Sequence, residues 1–168
     1  MSEEVKPIFA RAFFNMDQAG LVNQYMVFYY RDPKAYYANL SGDELRRELE
    51  AIRANMQGFL DEEVIRINGE RVSARVVYVD IGLMTIENPY ITFIIRFKGR
   101  LRRGINVYED IYSEEVAEYP YEFTWSLPGR VIKVQLAGEV KVLGDLVVVK
   151  VPMGLRVGGR EVIEFEVK

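Results

Sequence analysis

Arg96, Lys98, Arg100 and Arg102 occupy alternate positions of the stretch RFKGRLRRGINVYEDIYSEEV, and Arg103 follows, so residues 96–103 carry five positive charges and no negative one. Alternate positions of an extended chain share a face, which would set the first four cations on one side of a strand. With tyrosines nearby, that is the chemistry of a single-stranded nucleic-acid platform, where cations track phosphates and rings stack on bases. Arg96, Lys98, Arg100, Arg102 and Arg103 are the candidate contacts for such a ligand. Six carboxylates between positions 109 and 122 would repel phosphate from the same region, and they offer a second chemistry. If the chain turns at Gly104 and keeps apolar opposite apolar, Leu101 faces Val107 and Phe97 faces Ile111. Lys98 then faces Asp110, while Arg100 and Arg96 face Tyr108 and Tyr112, giving a ladder of ion pairs and cation–π contacts.

The acidic half of the region suggests a third chemistry. Between 117 and 125, Ala117, Tyr119, Tyr121, Phe123 and Trp125 alternate with Glu118, Glu122 and Thr124. An aromatic surface rimmed by carboxylates suits protein recognition, and Tyr108, Tyr112, Tyr119, Tyr121 and Trp125 are its candidate residues. The same alternation describes a strand packed into a core. Asp80 interrupts the apolar run VVYVDIGLM. Buried, it would be an acid or base of raised pKa; exposed, it and Gly82 mark a bulge or strand end.

Composition narrows the field. The 168 residues contain no histidine and no cysteine, which removes the commonest general base, the commonest transition-metal ligand, thiolate nucleophiles and disulfides. A catalytic site would be built from Asp, Glu, Lys, Tyr, Ser or Thr, and a metal site from oxygen ligands. No P-loop, dinucleotide-binding fingerprint, nucleophile elbow or calcium loop is present, and the glycines of PMGLRVGGRE lack a following helix. No cofactor is expected. A net charge of −3 restricts any polyanion site to a local patch.

These residues have to be positioned by strands. VKPIFARAFFNM and LVNQYMVFYYR flank Asp17–Gly20 as a hairpin. Asp32-Pro33 starts a short helical turn. Ser41 and Glu44 have capping-box spacing, and Leu45, Leu49, Ile52, Met56 and Phe59 form one apolar stripe of a helix at about 42–60. Beyond it VIRI and ERVSARVVYVDI flank Asn68-Gly69, a two-residue hairpin signal. Short strands then follow with a turn signal roughly every ten residues. The expected fold is α+β and mostly β: curved antiparallel sheets, as a sandwich or partly open barrel, with one amphipathic helix, in a single domain spanning 1–168.

The leading expectation is a non-enzymatic interaction module with a protein partner. A nucleic-acid-binding module on the basic strand comes second. Third is a carrier of small hydrophobic ligands or a histidine-free enzyme centred on Asp80, since a helix across a curved aromatic sheet often encloses a pocket. An uncovered edge strand would favour a homodimer. No window approaches a membrane span, and the acidic start MSEEVKP reads as cytoplasmic, although a piece of a longer membrane-anchored protein would look the same. The scarcity of Asn and Gln is compatible with a thermophile.

Overall fold

The computed structural model describes residues 4–168. The first hairpin forms as its sequence dictates, with β1 at Lys6–Met16 and β2 at Leu21–Arg31. In its turn the Asp17 Oδ1 accepts from the backbone N–H of Ala19 at 2.8 Å and of Leu21 at 3.0 Å. Asp32 is buried, and its Oδ2 accepts from the Tyr37 N–H at 2.9 Å, starting a 3-10 turn over Tyr37–Asn39.

Helix α1 spans Gly42–Glu62. Ser41 is its N-cap residue in extended conformation, but its side chain makes no capping bond. The expected Ser41/Glu44 box is therefore not formed, and Asp43 and Glu44 favour the helix start through its dipole instead. The inward stripe also shifts. Ile52 and Leu60 are buried whereas Phe59 is 64% exposed, because Leu60 completes a spacing that keeps its side chain over Ile52 and Met56.

Among the described residues, ten further strands complete the fold. They are β3 (Val64–Ile67), β4 (Glu70–Val72), β5 (Arg75–Thr85), β6 (Asn88–Lys98), β7 (Gly104–Val116), β8 (Tyr121–Ser126), β9 (Arg130–Gln135), β10 (Glu139–Leu143), β11 (Leu146–Val151) and β12 (Arg156–Val167). Asn68 and Gly69 have φ of 52° and 80°, the backbone a tight twisted hairpin requires. A seven-stranded sheet runs β10-β11-β8-β1-β2-β6-β5, and a five-stranded sheet runs β4-β3-β7-β12-β9. Pairing is antiparallel except between β1 and β8. The sheets stack face to face without closing into a barrel. The run 70–81, expected as one strand, divides between sheets: β4 belongs to the smaller and β5 to the larger.

The basic and acidic strands do not form the expected hairpin. β6 lies between β2 and β5 in the larger sheet, and β7 lies between β3 and β12 in the smaller. Lys98 sits beside Leu21, and Arg96 beside Asn23 and Arg75. The apolar alternation is satisfied across the sandwich rather than along a ladder. Ile91, Phe93, Ile95 and Phe97 point inward from one sheet, Tyr108 points inward from the other, and the Phe97 and Tyr108 rings stack with centroids 6.3 Å apart. The acidic strand finds other partners. Glu109 pairs with Arg66 and Arg160, and Glu114 with Arg156.

Residues 99–103 carry the chain from one sheet to the other, and two residues, one in the crossing and one just beyond it, fix its path. Asn106 is fully buried. Its Oδ1 accepts from Asn68 Nδ2 at 2.8 Å and from the Arg102 N–H at 2.9 Å, while its Nδ2 donates to the carbonyls of Arg102 at 2.8 Å and Gly104 at 3.1 Å. Gly99 is packed so closely against β3 that a Cβ there would lie 2.4 Å from the Ile67 Cδ1. Asn106→Ala leaves several buried polar groups unpaired and is expected to cost about 2–4 kcal/mol. Gly99→Ala forces Ile67 aside and is expected to cost about 1–3 kcal/mol. Urea unfolding measures both, and midpoints within error of the parent for either variant would remove that residue from the role assigned here.

Candidate functional site

The inner faces of the two sheets match along only part of their length. Where both are apolar they close, and Trp125 stacks on Phe14 at 4.4 Å between ring centroids and meets Tyr108 at 4.5 Å. Strand register shows where the match ends. On the smaller sheet Ile67, Tyr108 and Ile163 form one inward row. The adjacent inward row is Ile65, Asp110 and Glu161, so two carboxylates take the place of apolar side chains. Glu63 shares the inward parity of Ile65 and Ile67, and Tyr112 that of Tyr108 and Asp110.

Opposite this acidic row the larger sheet stays apolar, with Ala12, Met26, Phe28, Phe93 and Phe123 facing it. The result is a cleft of about 710 Å³, walled on a third side by Ile52, Met56 and Leu60 of α1. Asn55, Phe59, Glu62, Ser113 and Glu115 combine a place in its lining with exposure to solvent and mark its mouth.

Electrostatics inside the cleft follow from burial. Glu63 and Asp110 share a hydrogen bond, and burial raises the pair to about 7 and about 8 respectively, with Asp110 further raised by the neighbouring charges of Glu63 and Glu161. Burial also raises Glu161, partly offset by the hydroxyl of Tyr112 that donates to its Oε1. Tyr112 is raised by burial and by Glu161, and Tyr121 is pushed up to about 12 by the same two causes. One oxygen, the Asp110 Oδ1, is shielded from solvent and has no hydrogen-bond partner. Among the described residues no group of three carboxylates is placed to hold a metal ion.

The residues singled out from the sequence scatter. Tyr108 and Trp125 are 4% and 2% exposed, because their parity turns them toward the opposite sheet, and they line the cleft rather than the outer surface. Tyr112, Tyr119 and Tyr121 line the cleft. Arg96, Lys98, Arg100, Arg102 and Arg103 are exposed and lie outside it. Two of them serve local structure, Arg96 through Nε to Asn23 and Arg102 through Nε to the Ile105 carbonyl. Asp80 is exposed on the outer face of β5 and accepts from the Tyr78 hydroxyl at 3.3 Å, so it is no buried acid. Sequence reasoning missed Glu63, Asp110 and Glu161 as a group. Their one signal was parity: Asp110 alternates in phase with Tyr108 and Tyr112, and Glu161 with Ile163 and Phe165.

The fold defines a two-sheet, mostly β protein with one helix, and a solved structure shares it. The folded domain of LppM from Mycobacterium tuberculosis, determined by NMR, superposes with a TM-score of 0.52 at 12% identity, over 99% of this chain and 93% of that one. The likeness is one of fold. A provisionally described protease from Parabacteroides distasonis covers 99% of this chain and 41% of its own at 5% identity, with a TM-score of 0.32. No family model and no curated protein matches the sequence.

The raised carboxyls set the sign of a pH effect. Asp110 and Glu63 bind their protons more tightly folded than unfolded, where carboxyls titrate near ~4. Their contribution to stability is therefore complete below that value and is lost as pH rises toward the folded values of about 7 and about 8. The thermal midpoint is expected to fall between pH 5 and pH 9, and Asp110→Asn to flatten that fall and raise the midpoint at pH 9. Calorimetry across the range checks this; a parental slope in the variant would show that the pair does not govern it.

Proposed function

We propose that this protein binds a small amphipathic ligand non-covalently, with the ligand's apolar body in the cleft between the sheets, and so acts as a carrier or sensor rather than an enzyme. The observation that carries this reading is the cleft itself. Its volume of about 710 Å³ falls within the range of ~300–1,000 Å³ usual for small-molecule sites. Apolar and aromatic walls with a few converging polar groups are the usual composition of such sites. The helix wall supports it further. Phe59 is a large apolar side chain left exposed at the mouth, where an entering apolar molecule would cover it. Ala10 and Ala12 sit where larger residues would fill the space, since their strand neighbours on β8 are Tyr121 and Phe123.

Titration with Nile red, a neutral apolar fluorophore, tests the reading. Saturable binding with a blue-shifted emission is expected for the parent protein. Ala12→Phe is expected to weaken it at least about tenfold, roughly the 1.4 kcal/mol that loss of part of an apolar contact surface represents. Absence of saturable binding to the parent, or equal binding by Ala12→Phe with an unchanged midpoint of unfolding, overturns the proposal.

A further inference from the structure

The polar end of the cleft specifies more than a shape. From the register of the smaller sheet, Asp110 and Glu161 are direct cross-strand neighbours on its inner face, Glu63 is hydrogen-bonded to Asp110, and all three line the cleft. The cations of this sheet that could neutralise them are committed elsewhere. Arg66 and Arg160 pair with Glu109, whose parity places it on the opposite face, and Arg156 pairs with Glu114. Among the lining residues the single cation is Arg11, and it is ion-paired with Glu122. The Tyr112 hydroxyl is already spent on Glu161. The Asp110 Oδ1 is shielded from water, and no N–H or hydroxyl group donates to it. The cleft therefore ends in three carboxyls, two of them sharing a proton, with no free cation beside them, opposite a wall that is apolar apart from Gln24.

We propose that the ligand is a lipophilic amine: a primary ammonium head seated among Asp110, Glu161 and Glu63, with an apolar tail lying along Ala12, Met26, Phe28 and Phe93. An ammonium supplies three donors and one positive charge, which are what the Asp110 oxygen and its neighbours lack. Its bonds to carboxylates are charge-assisted and gain strength away from water. A carboxylate or phosphate head would meet Glu63, Asp110, Glu115 and Glu161 and be repelled. This inference rests on the cleft being a ligand site, and the test separates the two.

Displacement of Nile red at pH 7.5 by decylamine, decanol and decanoate holds the tail constant and varies the head. Decylamine is expected to displace at concentrations at least about tenfold below decanol, the difference one charge-assisted contact supplies, with decanoate the weakest of the three. In the Asp110→Asn/Glu161→Gln protein the advantage of the amine over the alcohol is expected to shrink to about twofold while decanol is unaffected. Continued Nile red binding shows that this variant keeps its cleft. Equal displacement by decylamine and decanol overturns the amine assignment and leaves the cleft as an apolar site. Preference for decanoate overturns it too and makes the acids hydrogen-bond donors in their protonated form. Failure of Nile red and all three alkyl compounds to bind the parent overturns both readings.

Discussion

Two sheets can close against each other only where both present apolar surface. In this protein the mismatch at one row decides the shape of the interior. Trp125, Phe14 and Tyr108 meet because nothing polar intervenes, whereas one register step away Asp110 and Glu161 face Met26 and Phe93 across a gap. Closing that gap would bury two carboxyls against hydrocarbon, at several kcal/mol for each unpaired group. Leaving it open forfeits packing but keeps the acids partly hydrated and hydrogen-bonded. The cleft is thus the cheaper of two costly arrangements, and the helix α1 limits its exposure by covering one side.

The crossing at residues 99–103 makes this arrangement obligatory. A hairpin there would have kept β6 and β7 in one sheet, with the inward residues of both on a single surface. By changing sheets the chain puts Phe97 and Tyr108 face to face and sends Asp110 into the interior rather than beside Lys98. Asn106 holds the crossing through bonds in which its amide replaces the backbone partners that residues 102–104 would otherwise have found in a ladder. On the outer face the charge is settled conventionally, with Glu109 between Arg66 and Arg160.

What depends on local chain chemistry was legible in the sequence. The hairpin around Asp17–Gly20, the positive-φ turn at Asn68-Gly69 and the helix near 42–60 each follow from neighbouring residues. The alternation that buries Ile91, Phe93, Ile95 and Phe97 is equally local. What failed depends on which strand becomes whose neighbour. Lys98 and Asp110 made a plausible pair because opposite charge and a central glycine are all the sequence offers, and nothing local records that β7 would find β3 and β12 first. The Ser41 cap failed more narrowly, since a suitable side chain at the right position still needs the right rotamer. The acidic group was hidden for the same reason as the crossover: Glu63, Asp110 and Glu161 come from three separate segments, a helix end and two strands, and each alone reads as a surface carboxylate.

The parallel pairing of β1 with β8 has a temporal consequence. Its partners lie more than half the chain apart, from Ala10 beside Tyr121 to Asn15 beside Ser126. The central β7 of the smaller sheet is held by β12, at residues 156–167, with partners 40 to 63 residues apart. Contacts of such long sequence separation form slowly, because the entropy of closing the intervening loop is lost before any pairing is gained. As the chain emerges from the ribosome, β1, β2 and β6 can assemble a three-stranded surface early, yet its inner aromatic face has no lid until the last strands appear. During synthesis this protein presents for some time the same apolar wall that, once the fold is complete, lines its cleft, so the surface most in need of cover is the last to receive it.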